Sequence, residues 1–137
     1  MRMTRKGLIT TAFLAFVLVA GMAPVSQAAD EVVQSQLYFG LRSPDGSGVS
    51  EQEWARFLAE VITPRFPDGL TVLGAYGQGR SGPPTTPITA ETTKLLVIVH
   101  PATEEAKKKL TEIKQAYMKT FNQDSVFHVE VPARLVD

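Results

Sequence analysis

His100 and His128 are the only imidazoles in the chain, and there is no cysteine. His128 has the better chemical company, because Glu130 follows two residues later in an alternating stretch, the spacing that puts both side chains on one face of a strand. An imidazole beside a carboxylate can take and return a proton near neutral pH, which makes His128 the candidate general base. Tyr38 and Arg42 share the parity of an earlier alternating stretch, where a phenol and a guanidinium can orient a small anionic or aromatic compound. His100, just before Pro101 at a strand end, reads as an ordinary structural residue. Neither histidine has a partner at local ligand spacing, so no metal site is expected. The lack of cysteine excludes a disulfide framework, a thiolate zinc site, an iron–sulfur cluster and a catalytic thiol.

Other chemistry-bearing patterns are weaker. Gly77-Gln78-Gly79-Arg80-Ser81-Gly82 has the glycines of a dinucleotide-binding turn, but Pro83-Pro84 follows where the phosphate-binding helix would start. It reads as a glycine-rich hairpin arm, and no cofactor is expected. The Pro44-Asp45-Gly46-Ser47-Gly48 loop leads to a helix start at Ser50, beside Arg42, and can be read as an anion cradle or simply as a turn. Arg65, Tyr76, Gln78 and Arg80 are polar groups near strand ends, surface residues by default. Glu104, Glu105 and Glu112 flank the Lys107-Lys108-Lys109 run, which marks a solvated helix face.

The formal net charge of zero includes a basic leader. Arg2, Arg5 and Lys6 precede an apolar stretch from Leu8 to Ala20, and Ser26-Gln27-Ala28 offers small residues for a signal peptidase. We read residues 1–28 as a signal peptide and 29–137 as a single domain that is periplasmic or secreted, without a membrane anchor after cleavage. The apolar run is shorter than the roughly 20 residues a bilayer core demands. Residues 29–137 carry 11 basic and 14 acidic side chains, a balance that argues against nucleic acid as a partner.

Six elements must position the candidate residues. Glu31 to Arg42 alternates as a half-buried strand, and Ser50 with Glu53 forms a capping box ahead of the helical stripe Trp54, Phe57, Leu58, Val61 and Ile62. Pro64 and Pro67 stop that helix, and a second strand runs from Leu70 to Gln78. Residues 80–92 read as a long connection before a third strand, Thr93 to His100, apolar on both faces. Thr103 caps a second helix with Ala106, Leu110, Ile113, Tyr117 and Phe121 at helical spacing, and Ser125 to Arg134 alternates again. The order strand, helix, strand, strand, helix, strand is that of a ferredoxin-like α+β fold, βαββαβ, with one antiparallel sheet and both helices on one face.

Such a sheet leaves its other face open. Leu96 and Ile98 are expected on that face, with Tyr38, Arg42, His128 and Glu130 around them. A mixed polar and apolar face suggests contact, with a small-molecule ligand or with a second copy of the chain, in the latter case as a homodimeric α+β barrel.

Leu37-Tyr38-Phe39-Gly40-Leu41, Val49-Ser50-Glu51-Gln52-Glu53-Trp54 and Thr63-Pro64-Arg65-Phe66-Pro67-Asp68-Gly69-Leu70 together resemble the bacterial exported family known as domain of unknown function 3574. The resemblance continues through Lys94 to His100 and Tyr117 to Phe121. It implies a small secreted or periplasmic protein and carries no established activity, cofactor or catalytic residue. Two functions are therefore expected. The first is a non-catalytic binding or interaction module using the open sheet face. The alternative is a cofactor-free isomerase or oxygenase of the dimeric α+β barrel type, with His128 as base and Tyr38 and Arg42 orienting a small anionic or aromatic substrate.

Overall fold

Ser35, Leu37 and Phe39 are fully buried while their neighbours Gln34, Gln36 and Tyr38 are only partly so, and this alternation decides which side of the sheet the helices cover. The computed structural model describes residues 32–80 and 82–136, so the signal peptide expected over 1–28 lies outside the described residues. The elements are β1 (Val32–Gly40), α1 (Glu51–Phe57), β2 (Thr71–Gly79), β3 (Thr89–Pro101), α2 (Glu104–Phe121) and β4 (Phe127–Ala133). They form one antiparallel sheet in the order β2-β3-β1-β4, with β1 and β3 central, as the ferredoxin-like reading requires.

The caps are those the sequence encodes. The Ser50 hydroxyl accepts from the Glu53 N–H, and the Glu53 carboxylate accepts from the Ser50 N–H at 2.9 Å. The Thr103 hydroxyl accepts from the Ala106 N–H, and Asn122 closes α2 in the left-handed region at φ 50°. Beyond α1 the helix widens into a π-helical turn, Leu58–Ile62, and then tightens into a 3₁₀ turn, Thr63–Arg65. The Arg65 guanidinium donates to the Val61 carbonyl at 2.7 Å, satisfying a backbone acceptor at this irregular end, and pairs with Glu112 of α2.

The core lies between the sheet and the helices. Leu37, Phe39, Leu96 and Ile98 meet Trp54, Phe57 and Ile62 on one side and Leu110, Ile113 and Tyr117 on the other. The Phe39 ring stands edge-on to Tyr117 at 4.7 Å and lies 5.1 Å from Trp54. Burial pushes the Tyr117 phenol well above its usual range, and its hydroxyl donates to the Gly40 carbonyl at 2.8 Å.

Three expectations change. Leu96 and Ile98 are not on the open face: Leu96 pairs with Leu37 and Ile98 with Ser35, so both point into the core and are 0% and 1% exposed. An apolar run without alternation carries no parity of its own, and the pairing with β1 decides it. His128 and Glu130 also leave the open face, since they pair with Leu37 and Ser35 and therefore stand on the helix side. Finally, β3 begins at Thr89 rather than Thr93, because the hairpin keeps pairing with β2 down to Gly79 and Thr89.

Candidate functional site on the open sheet face

The residues left on the open face follow from the same register. From β1 they are Gln34, Gln36, Tyr38 and Gly40; from β3, Glu91, Thr93, Leu95, Val97 and Val99; and from β4, Phe127, Val129 and Val131. The edge strand β4 is the telling element. Its alternation gives it an apolar side and a polar side, and it turns the apolar side away from the core. Phe127 is 65% exposed, Val99 45% and Val131 42%, and Leu73 of β2 joins them. No charged side chain stands at the centre of this face.

At the Gly40 end of the sheet the face dips into an open hollow of about 650 Å³, whose lining includes Tyr38, Arg42, Glu91, Asp124 and Phe127. Tyr38 and Phe127 are register partners, and their rings lie 5.5 Å apart at 50°. The Tyr38 hydroxyl donates to Gln36 at 3.0 Å. Glu91 reaches across β1 and lies over Gly40, where an added Cβ would stand 2.7 Å from the Glu91 carboxyl carbon. One carboxylate oxygen accepts the backbone N–H of Arg42 at 2.9 Å. The glycine makes room for the acid and the amide holds it in place.

Glu91, Gly40 and Phe127 escape the sequence reading. Glu91 falls in the Pro- and Gly-rich stretch 80–92, which reads as a connection, and Phe127 in β4 has the parity expected for the core. A glycine inside an alternating strand is the one signal pointing here, since it often marks a close approach by another group.

The other candidates are placed elsewhere. His128 and Glu130 flank a groove between β4 and α2 together with Lys107, Thr111 and Lys114. Burial and the nearby Lys114 ammonium lower the His128 pKa, opposed in part by Glu130, whose carboxylate lies 3.7 Å from Nε2. His128 thus shares no site with Tyr38 and Arg42. His100 is buried, with one ring nitrogen 2.8 Å from the Ser35 hydroxyl and the other 2.8 Å from the Pro101 carbonyl. The carbonyl can only accept, so Nδ1 bears a hydrogen, and the Ser35 hydroxyl, which can donate or accept, bonds Nε2. The Pro44–Gly48 loop directs its donors to its own acid: Asp45 accepts the Ser47 N–H and hydroxyl, and these bonds hold its pKa below the usual carboxylate value. Gln78 and Tyr76 bond one another on exposed β2, away from the hollow.

Two solved structures share the fold. A phage SAM lyase in complex with S-methyl-5′-thioadenosine superposes with a TM-score of 0.59 at 13% identity, over 80% of this chain and 88% of that one. A phage SAM lyase in its apo state gives 0.56 at 13% identity, over 80% and 87%. At that identity the likeness speaks for the α+β architecture alone. Among curated proteins no relative matches. Residues 34–136, nearly all of the described fold, match the family described as Protein of unknown function (DUF3574), and the chain belongs to that family.

Proposed function

We propose that this protein is an exported binding module whose open sheet face is covered by a second copy, with a small molecule held in the hollow at the Gly40 end. The observation that carries the reading is the orientation of β4, which keeps Phe127, Val129 and Val131 out of a core they could have joined. Apolar side chains gathered on one face gain by leaving water, at about 25 cal/mol per Å². Four strands about 4.8 Å apart and about seven residues long span roughly 450 Å² in plan. That is more than half of the about 800 Å² per partner in a standard interface, before side-chain relief is added. A face with glutamines and aliphatics at its centre can also meet its own copy without like-charge repulsion. Export to the periplasm or medium rests on the leader sequence of residues 1–28.

Light scattering on residues 29–137 tests this reading. The expected mass is that of a dimer or higher closed assembly, and Val97→Glu, at the centre of the face, should reduce it to the monomer. A wild-type monomer at tens of micromolar would overturn self-association.

A catalytic reading is supported by one observation, the Glu91 carboxylate held at the rim of an open hollow. With His128 on the other side of the sheet, the isomerase or oxygenase alternative loses its base, and of the two carboxylates lining the hollow, Glu91 and Asp124, Glu91 is the one held in place by a backbone amide. The fold-level neighbours suggest SAM as a substrate to try. Incubation with SAM and chromatography for S-methyl-5′-thioadenosine separates the readings: turnover lost in Glu91→Gln favours an enzyme, and no turnover leaves the binding module.

A further inference from the structure

We infer that the hollow selects an organic cation, with Glu91 as its counter-charge and the Tyr38 and Phe127 rings as its walls. The inference rests on the small-molecule part of the proposed function and is independent of self-association. Three features converge on it. Gly40 is the residue over which the Glu91 carboxylate lies, and any side chain there would displace it. The Arg42 amide occupies one carboxylate oxygen, and Glu91 makes no ion pair with a lysine or arginine among the described residues. Its negative charge is therefore fixed in position and not neutralised by a bonded partner. The same hollow is lined by the Tyr38 and Phe127 rings, tilted 50° to one another at 5.5 Å, and an aromatic ring's quadrupole attracts a poorly hydrated cation over its face. With Asp124 also in the lining against Arg42 alone, the hollow holds an excess of one negative charge.

A quaternary ammonium or a sulfonium fits this chemistry better than a primary amine. Its charge is spread over alkyl groups that lose little on leaving water, and it asks for no hydrogen-bond acceptors beyond the carboxylate. An anionic ligand is disfavoured by Glu91 and Asp124, which the single guanidinium of Arg42 does not offset.

The test uses choline as probe, its neutral isostere 3,3-dimethylbutan-1-ol, and benzoate, each titrated into the ¹⁵N-labelled protein (residues 29–137) at constant ionic strength. Choline should move the Gly40, Arg42 and Glu91 amides saturably, while the alcohol and benzoate leave them unmoved at the same concentration. Glu91→Gln, which keeps an acceptor for the Arg42 amide, should weaken choline at least tenfold. Phe127→Leu, which keeps an apolar side chain on the open face but removes the ring, should weaken it several-fold. Equal response to choline and the alcohol, preference for benzoate, no response to choline, or unchanged affinity in Glu91→Gln would each overturn the inference. A dimer that ignores choline removes the cation assignment and leaves the covered face standing; a monomer that binds choline does the reverse.

Discussion

The Glu91 carboxylate and Gly40 occupy neighbouring strands in an arrangement that works only because residue 40 has no side chain. The acid lies against the backbone of β1, anchored by the amide two residues further along. This gives a coupling that can be measured. Gly40→Ala should push the carboxylate aside at small cost, within about 1 kcal/mol, because the far end of a glutamate can move where a packed core could not. In a Glu91→Ala background the same substitution should cost nothing further. A double-mutant cycle by urea unfolding would show this non-additivity, and strictly additive effects would remove the close approach.

Adjacent residues of β3 should behave as opposites. Leu96→Ala opens a cavity between β1 and the helices and is expected to cost about 2–5 kcal/mol by chemical denaturation. Val97→Ala, one residue away on the open face, should cost under about 1.5 kcal/mol in the isolated monomer and register instead as weakened association. Equal losses of monomer stability at the two positions would contradict the assigned parity.

Ser35→Ala leaves Nε2 of buried His100 without its hydrogen-bond partner. A loss of about 1–3 kcal/mol in unfolding free energy is expected, against a much smaller effect for Ser47→Ala on the exposed loop. Comparable effects at both sites would mean that the buried hydroxyl is not holding the ring.

His128 makes stability depend on pH. Its pKa in the folded protein lies below the ordinary histidine value because of burial and the Lys114 ammonium, with His100 acting in the same sense and Glu130 against it. The unfolded chain therefore binds the proton first, so stability is intact above about pH 6.5 and falls as pH drops from there toward the folded pKa. Thermal melts between pH 7 and 5 should show a declining Tm that is flatter in His128→Gln. An identical pH profile in the variant would place the titration elsewhere.

Much of the architecture is legible along the chain, because the signals that build it are local. Ser50 with Glu53, Thr103 and Asn122 encode helix ends through bonds made within a few residues, and the 3.6-residue stripe from Ala106 to Phe121 needs only α2 itself to be recognised. The order of six such elements narrows the topology to a ferredoxin-like sheet, with β1 and β3 in the middle. The alternation of β1, with one polar and one apolar side, likewise puts Tyr38 on the open face, whereas Arg42 lies beyond the end of the strand at the rim of the hollow.

The remaining site residues depended on register between distant strands, which local pattern does not contain. Leu95 to Val99 is apolar at every position, so only the pairing of Leu96 with Leu37 sends Leu96 and Ile98 inward. Val129 has the alternation of a core residue, yet β4 meets β1 with His128 opposite Leu37, and its apolar side faces out. Sequence by itself determined the elements, their order and the open-face location of Tyr38. Tertiary structure alone decided that the face is apolar, that His128 and Glu130 lie behind it, and that Glu91 reaches over Gly40. Secondary structure follows from hydrogen bonds and periodicity within a segment, whereas a site is assembled by side chains whose neighbours are set by strand pairing 50 or more residues away in the chain.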